Sequence, residues 1–155
     1  FLTIALVTFT IYTFITKNNT ISGKVVQSMF LEKLYTEESR VRVYLYETAR
    51  GVMSETYQEI GQKEENDLDY DDRFKETFNE KLKFKVQDIS FSQNEKNLFK
   101  LRSAIEKDEF KNDFKDNVLS FELNSLIIEI QNKENTISAS FKPEISFQIN
   151  LDELK

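Results

Sequence analysis

The chain is organised around its first stretch, which reads Phe1-Leu2-Thr3-Ile4-Ala5-Leu6-Val7-Thr8-Phe9-Thr10-Ile11-Tyr12-Thr13-Phe14-Ile15-Thr16. This run has no charged residue, no Gly and no Pro, and Lys17 ends it. As an α-helix it would be roughly 24 Å long and apolar on every side. Such a helix must be buried in lipid or against other protein. The remaining chain is strongly charged and offers it little surface, so the central question is what buries residues 1–16.

The length and the Thr content of residues 1–16 favour a helix that packs against copies of itself. A comfortable membrane span needs about 20 apolar residues, and this run is shorter. Thr3, Thr10 and Thr13 fall on one side of a helical wheel, and Thr allows close approach and hydrogen bonds between helices. A plain single-span anchor with a Thr-rich composition is the alternative.

Residues 17–23 predict a hinge between the apolar run and the rest of the chain. They read Lys-Asn-Asn-Thr-Ile-Ser-Gly, and Asn, Thr, Ser and Gly are poor helix formers. The triplet that starts at Asn18 matches the N-glycosylation pattern, so Asn18 is a candidate glycan site if it faces the outside. We therefore expect an apolar helix with a hinge over 1–23 and a globular domain over 24–155.

The globular domain is predicted to start with a long amphipathic helix over residues 24–60. Its apolar positions recur mainly at steps of four, at Val26, Phe30, Leu34, Val41, Leu45, Ala49, Met53 and Tyr57. Gly61 follows as the expected helix stop. This apolar stripe can cover a sheet of the same subunit, and a part of it can also meet a neighbouring subunit.

Residues 62–72 form an acidic loop that carries the candidate metal ligands of the chain. Asp67, Asp69 and Asp71 occupy the first three ligand positions of an EF-hand loop, but Asp72 stands where that loop needs Gly and Phe78 where it needs Glu. An EF-hand is therefore rejected. Two interpretations stay open: an irregular Ca²⁺ site on Asp67, Asp69 and Asp71, or a solvated loop whose last Asp residues cap the next helix.

The middle of the chain predicts short helices and strands. A step of four indicates a short helix over residues 73–82, and a step of two then indicates a strand from Leu82 through Phe91. Residues 98–101 read as a short strand. The spacing of Ser103 and Glu106 matches a capping box, so a second short helix is expected over 104–116.

The C-terminal part is the clearest β region. Four short runs rich in β-branched residues or alternating in polarity occupy 118–123, 126–131, 136–141 and 145–151. Because their connections are short, they predict an antiparallel β-meander over 118–151. The helix over 24–60 is the natural cover for one face of that sheet. The expected fold class is therefore α+β, with a long N-terminal helix packed on a C-terminal antiparallel sheet.

Composition narrows the classes of function. The 155-residue chain has a net charge of −6 and contains no Cys and no His. The missing residues exclude disulfides, thiolate ligands, most zinc sites and the usual Ser-His and Cys-His hydrolases. An acidic domain argues against nucleic acid as a partner. We therefore expect no enzyme and no cofactor.

Residues 1–60 resemble the N-terminal part of a mature type IV pilin or of a related archaeal pilin-like protein. The shared features are Phe at the first position, an uncharged apolar helix, and an amphipathic helix that leads into a polar domain. Because the sequence starts at Phe1 and not at Met, we expect a processed mature chain or a trimmed one. Bacterial pilins usually carry Glu at the fifth position, and the Ala5 of this chain fits the archaeal branch.

The resemblance implies a structural subunit of an extracellular filament on the cell surface. It implies that the chain lies in the membrane before assembly, and that a processing peptidase and an assembly machinery act on it. Copies of the chain itself are then its main partner. The expected core contacts are apolar side chains of the first run: Phe1, Leu2, Ile4, Leu6, Val7, Phe9, Ile11, Phe14 and Ile15. The alternative function is a single-span, membrane-anchored extracellular binding domain.

Overall fold

The computed structural model describes residues 2–64, 67–87, 96–131 and 138–154, and it describes side chains from Ser28 onward. Its elements in chain order are α1 (Leu2–Ile60), α2 (Tyr70–Gln87), α3 (Lys96–Glu106), β1 (Lys111–Lys115), β2 (Val118–Leu123), β3 (Ile128–Gln131), β4 (Ser138–Phe141) and β5 (Ile145–Asn150). A short 3₁₀ turn, Leu151–Glu153, follows β5. The predicted α+β class is confirmed by the long helix over 28–60 and the antiparallel strands. The predicted hinge over 17–23 lies before the described side chains.

From Ser28 to its end, α1 is an amphipathic helix that contributes one stripe to the core. The buried side chains of this stripe are Leu34, Val41, Leu45, Ala49, Val52, Met53 and Thr56. The helix stops where the sequence predicts it to stop. Gly61 follows in a left-handed conformation with φ of +83°, and its N–H donates to the Tyr57 carbonyl at 2.8 Å.

Gly51 lies inside α1 and Gly61 lies just after its end. Their positions predict opposite effects of a substitution by Ala on stability. Gly51 is exposed inside the helix, and a Cβ added there would meet nothing within 4 Å. We expect Gly51→Ala to raise the free energy of unfolding by about 0.5–1 kcal/mol, because Gly lowers helix stability. Gly61→Ala should lower it by about 1–2 kcal/mol, because its φ is positive. Urea unfolding curves measure both, and equal shifts of one sign would contradict the prediction.

The predicted change from helix to strand at Leu82 is wrong, because α2 continues to Gln87. Phe74, Phe78, Leu82 and Val86 are all fully buried at steps of four. Phe84, which supplied the step of two in the sequence, is 70% exposed on the other side of the helix. The last part of the predicted strand, 88–91, lies outside the described residues.

The predicted strand over 98–101 and helix over 104–116 are also wrong. α3 spans Lys96–Glu106, so the helix ends where it was expected to begin. Its end is a Schellman-type stop, in which Asp108 has φ of 58° and the Glu109 N–H donates to the Ala104 carbonyl at 2.9 Å. The step of four from Phe110 to Phe114 fits a strand equally well, because an even spacing keeps both rings on one face.

The strands form a short hairpin joined to a long one. Asp116 and Asn117 both have positive φ and connect β1 to β2 in a two-residue turn, a pattern favoured in tight hairpins. β2 pairs with β5, and β3 pairs with β4, always antiparallel. The two pairings therefore belong to one hairpin, whose first arm runs through β2 and β3 and whose second arm runs through β4 and β5.

The predicted β-meander is wrong, because the chain does not reverse direction between β2 and β3 or between β4 and β5. At these two places the pairing of the long hairpin is interrupted. Residues 124–127 separate β2 from β3, and residues 142–144 separate β4 from β5, so the first arm holds one residue more than the second. Pro143 lies in the shorter segment and has no N–H to donate to a ladder. The resulting sheets have the strand orders β1-β2-β5 and β3-β4.

One face of the three-stranded sheet forms the core with α1 and α2. Phe121 stacks on Phe110 at 5.1 Å and on Phe147 at 5.0 Å between ring centroids, and Phe147 meets the edge of Tyr46 of α1 at 5.4 Å. The opposite face is polar and includes the exposed residues Lys111, Asp113, Lys115, Glu122, Ser146 and Gln148.

Candidate functional site

The predicted filament-core contacts from Phe1 to Ile15 and the candidate glycan site Asn18 precede the described side chains. They stay predictions. Within the part of the chain whose side chains are described, no helix has the length and apolar character needed to cross a membrane.

The first described turns of α1 carry apolar side chains that the domain leaves uncovered. Met29, Leu31 and Tyr35 are exposed, although Leu34 between them is buried. Tyr35 is 64% exposed, and its ring meets that of Phe141 in β4, with ring centroids 6.5 Å apart. The apolar character of the chain therefore continues on the surface of α1 beyond the first sixteen residues.

A groove of about 500 Å³ lies beside these residues, between α1, the start of α3 and β3. Its lining combines apolar, acidic and basic side chains: Met29, Glu32, Lys33, Thr36, Glu37, Lys96, Asn97, Glu129, Ile130 and Gln131. Several of the charged side chains that line the groove form ion pairs with other residues of the chain. Glu129 pairs with Lys100 at 2.8 Å, and Glu37 lies 3.7 Å from Arg40.

Asn97 links α3 to the strand and the helix that line the groove beside it. It lies in the first turn of α3 and is only 5% exposed. Its Nδ2 donates to the Glu129 carbonyl at 2.9 Å, and its Oδ1 accepts the Glu129 N–H at 2.9 Å. Nδ2 also lies 3.2 Å from Oε2 of Glu37 on α1. One side chain thus satisfies the outer edge of β3 and links it to two helices.

Asn97→Ala is expected to lower the free energy of unfolding by about 1–3 kcal/mol, because it leaves both backbone groups of Glu129 without their partner. The Glu129 amide should also exchange its hydrogen faster. Lys96→Ala is the matched control in the same turn, since Lys96 is exposed and its contact with Gln131 is long, 3.4 Å. If both variants unfold at the same urea concentration, the Asn97 bonds contribute nothing to stability.

The candidate Ca²⁺ ligands do not converge. Asp67 pairs with Arg73, and Asp71 pairs with Lys63 at 2.9 Å. Across the described residues no three Asp, Glu, His or Cys side chains are grouped to hold a metal ion. Asp71 and Asp72 lie in the first turn of α2, where acidic side chains favour the positive end of the helix dipole. The geometry favours the solvated loop over the cation site.

Tyr44 is the described group whose environment changes its acidity. Burial raises the pKa of the Tyr44 phenol above its ordinary value of 10.0, and a hydrogen bond with Thr48 opposes part of that rise. The phenol is neutral at neutral pH. It lies on the flank of α1 against the core, away from the groove residues.

Sequence reasoning missed Asn97, because a lone Asn carries no periodic or motif signal. The exposed Met29, Leu31 and Tyr35 could have been found, since they fall outside the stripe at steps of four. No protein-family model, no curated protein and no solved structure matches this chain. Its resemblance to type IV pilins therefore rests on the pattern of residues 1–60 alone.

Proposed function

We propose that this chain is a structural subunit of an extracellular type IV pilus-like filament. Residues 1–16 of neighbouring copies pack together as the filament core, and the α+β domain coats the outside. The observation that carries the proposal is an uncharged apolar run joined through α1 to a charged domain. In a helical polymer each copy supplies the apolar surface that the next copy needs.

The described domain supports this proposal because its own core is already filled. The buried stripe of α1 begins at Leu34 and is covered by α2 and the strands. Around and before Leu34, α1 exposes Met29, Leu31 and Tyr35 to solvent. These exposed side chains support burial of the apolar run from outside the described domain, either by lipid or by other copies.

The resemblance to type IV pilins implies the steps that the subunit passes through before and during assembly. The chain lies in the membrane through its apolar run, a processing peptidase and an assembly machinery act on it, and lipid is exchanged for neighbouring helices during assembly. Ala5 fits the archaeal branch of these filaments. The filament is displayed at the cell surface, and neither catalysis nor a cofactor is part of the proposed role.

The test is electron microscopy of material sheared from cells that make this protein, combined with mass spectrometry of its N-terminus. Thin filaments whose subunit begins at Phe1 are the expected result. Membrane vesicles without filaments, holding a chain that extends upstream of Phe1, would overturn the proposal. That result would instead support a membrane-anchored surface domain.

A further inference from the structure

β5 is an outer strand of the three-stranded sheet, so one of its two backbone edges faces away from β2. In the pairing of β2 with β5, Val118 lies opposite Asn150, and the Leu151 N–H donates to the Asn117 carbonyl at 2.8 Å. Hydrogen-bonded and non-bonded pairs alternate along an antiparallel ladder. The odd-numbered residues of β5 therefore bond to β2, whereas the N–H and C=O groups of Ser146, Gln148 and Asn150 point outward.

This edge is capped at its start, and no strand that the structure describes pairs with the rest of it. Arg42 of α1 donates from Nη2 to the Glu144 carbonyl at 2.6 Å, just before β5 begins. Beyond that point, no backbone partner for Ser146 or Gln148 is found among residues 2–64, 67–87, 96–131 and 138–154. Both side chains are exposed. An open edge of this kind is a template for another strand.

The two outer strands of this sheet differ sharply in charge. β1 is the sequence Lys-Asn-Asp-Phe-Lys, with three charged residues among five, and charges discourage edge pairing. β5 is the sequence Ile-Ser-Phe-Gln-Ile-Asn, six residues with no charge and no Pro. Its composition favours strand association. One edge is therefore protected and the other is suited to pairing.

We propose that β5 pairs antiparallel with β5 of a second copy of this chain, around a two-fold axis at Gln148. In this register Ser146 faces Asn150 of the second copy, Phe147 faces its Ile149, and Gln148 faces its Gln148. Polar residues oppose polar ones and apolar residues oppose apolar ones, so the strand is complementary to itself.

Phe147 gives the pairing an apolar contribution. Its ring meets Phe121 on one side and Tyr46 on another, yet it stays half-buried, and none of the described strands lies beyond it. Ile149 of the second copy would cover the open side. The proposal rests on the edge of β5 and not on the filament role, so either can fail without the other.

Cysteine cross-linking tests the register directly, because the chain contains no Cys. Facing residues of a hydrogen-bonded antiparallel pair have Cα atoms about 5.5 Å apart, within the range that a disulfide bridges. Gln148→Cys in the full chain, held in detergent so that micelles cover the apolar run, should oxidise to a covalent dimer. Asp113→Cys is the matched control, since it is exposed in the middle of β1 on the same face.

A mixture of Ser146→Cys and Asn150→Cys proteins should form mixed dimers in preference to dimers of either variant. Gln148→Lys places two positive charges opposite each other at the two-fold axis. Gln148→Pro removes the N–H of residue 148, which does not bond to β2 but would bond to the second copy. Both should abolish dimerisation of the chain in sedimentation runs. Ser146 and Gln148 amides should be protected from hydrogen exchange in concentrated samples and lose that protection on dilution.

Three outcomes overturn the proposal. The first is cross-linking of Gln148→Cys at only the level of Asp113→Cys. The second is protection of the Ser146 and Gln148 amides in dilute monomer, which would mean that the same chain covers the edge. The third is an unchanged dimer in Gln148→Lys. Filaments seen by microscopy alongside any of these results would leave the filament role standing.

Discussion

Phe74→Ala is expected to lower the free energy of unfolding by about 3–5 kcal/mol, the cost typical of emptying a buried aromatic site. Phe74 is fully buried in α2. Its ring stacks on Phe114 of β1 at 3.9 Å between centroids and also contacts Tyr70 at 6.0 Å. The substitution removes the stacked ring contact between the second helix and β1. Because domains are stable by only about 5–15 kcal/mol, this loss is a large share of the total.

Phe84→Ala is the matched control for that experiment, since it makes the same change in the same helix. Phe84 is 70% exposed, so we expect a change within about 0.5 kcal/mol. Urea unfolding of the full chain in mild detergent, followed by circular dichroism, measures both variants. A large loss for Phe84→Ala would contradict the exposed position of Phe84 on α2.

Val7→Lys is expected to abolish filaments while leaving the domain folded. A Lys at the middle of an apolar helix costs about 2.5–3.5 kcal/mol on insertion scales, and a polymer repeats that cost in every copy. Microscopy of sheared material, with immunodetection of the subunit in the cells, measures the result. Urea unfolding of the described domain should be unchanged.

Leu68→Lys is the control for the added charge. Leu68 lies in the loop before α2 and is 95% exposed, so a charge there alters neither the apolar run nor the core. Filaments should form normally in this variant. Normal filaments in Val7→Lys cells would show that residues 1–16 are not the polymer core, and loss of filaments in both variants would point to a general effect of charge on assembly.

Long, regular patterns in the sequence were enough to predict α1 after Ser28 and the strands β2 and β5. Each of these elements buries one face, so its period is repeated often enough to be unambiguous. At the end of α2 the pattern is ambiguous, because Leu82 and Val86 fit a step of two as well as a step of four. Only packing against the other elements leaves Phe84 outside and selects the helix.

The other errors have equally local causes. Ser103 and Glu106 have the spacing of a helix start, but they lie in the last turns of α3, and the real stop is the left-handed Asp108. Residues 124–125 look like a turn between strands, although the chain continues forward through them from β2 to β3. Whether a short polar segment reverses the chain or only bends it depends on contacts far away in sequence.

The candidate site was predictable only in outline. The apolar run and its need for an outside partner are visible in composition alone. The bonds of Asn97 to Glu129 span 32 positions, and no local pattern announces them. The open edge of β5 depends on which strand pairs with which, so it could not be seen before the register was known.

The contact of Arg42 with the Glu144 carbonyl joins positions 102 residues apart in the chain. Contacts of such high sequence separation slow folding, because a long loop must close before they are made. During synthesis α1 is made well before β5, the strand that flanks Tyr46. The core of the domain is therefore completed only after β5 has been made, and until then the apolar stripe of α1 lacks its partners and is prone to aggregation.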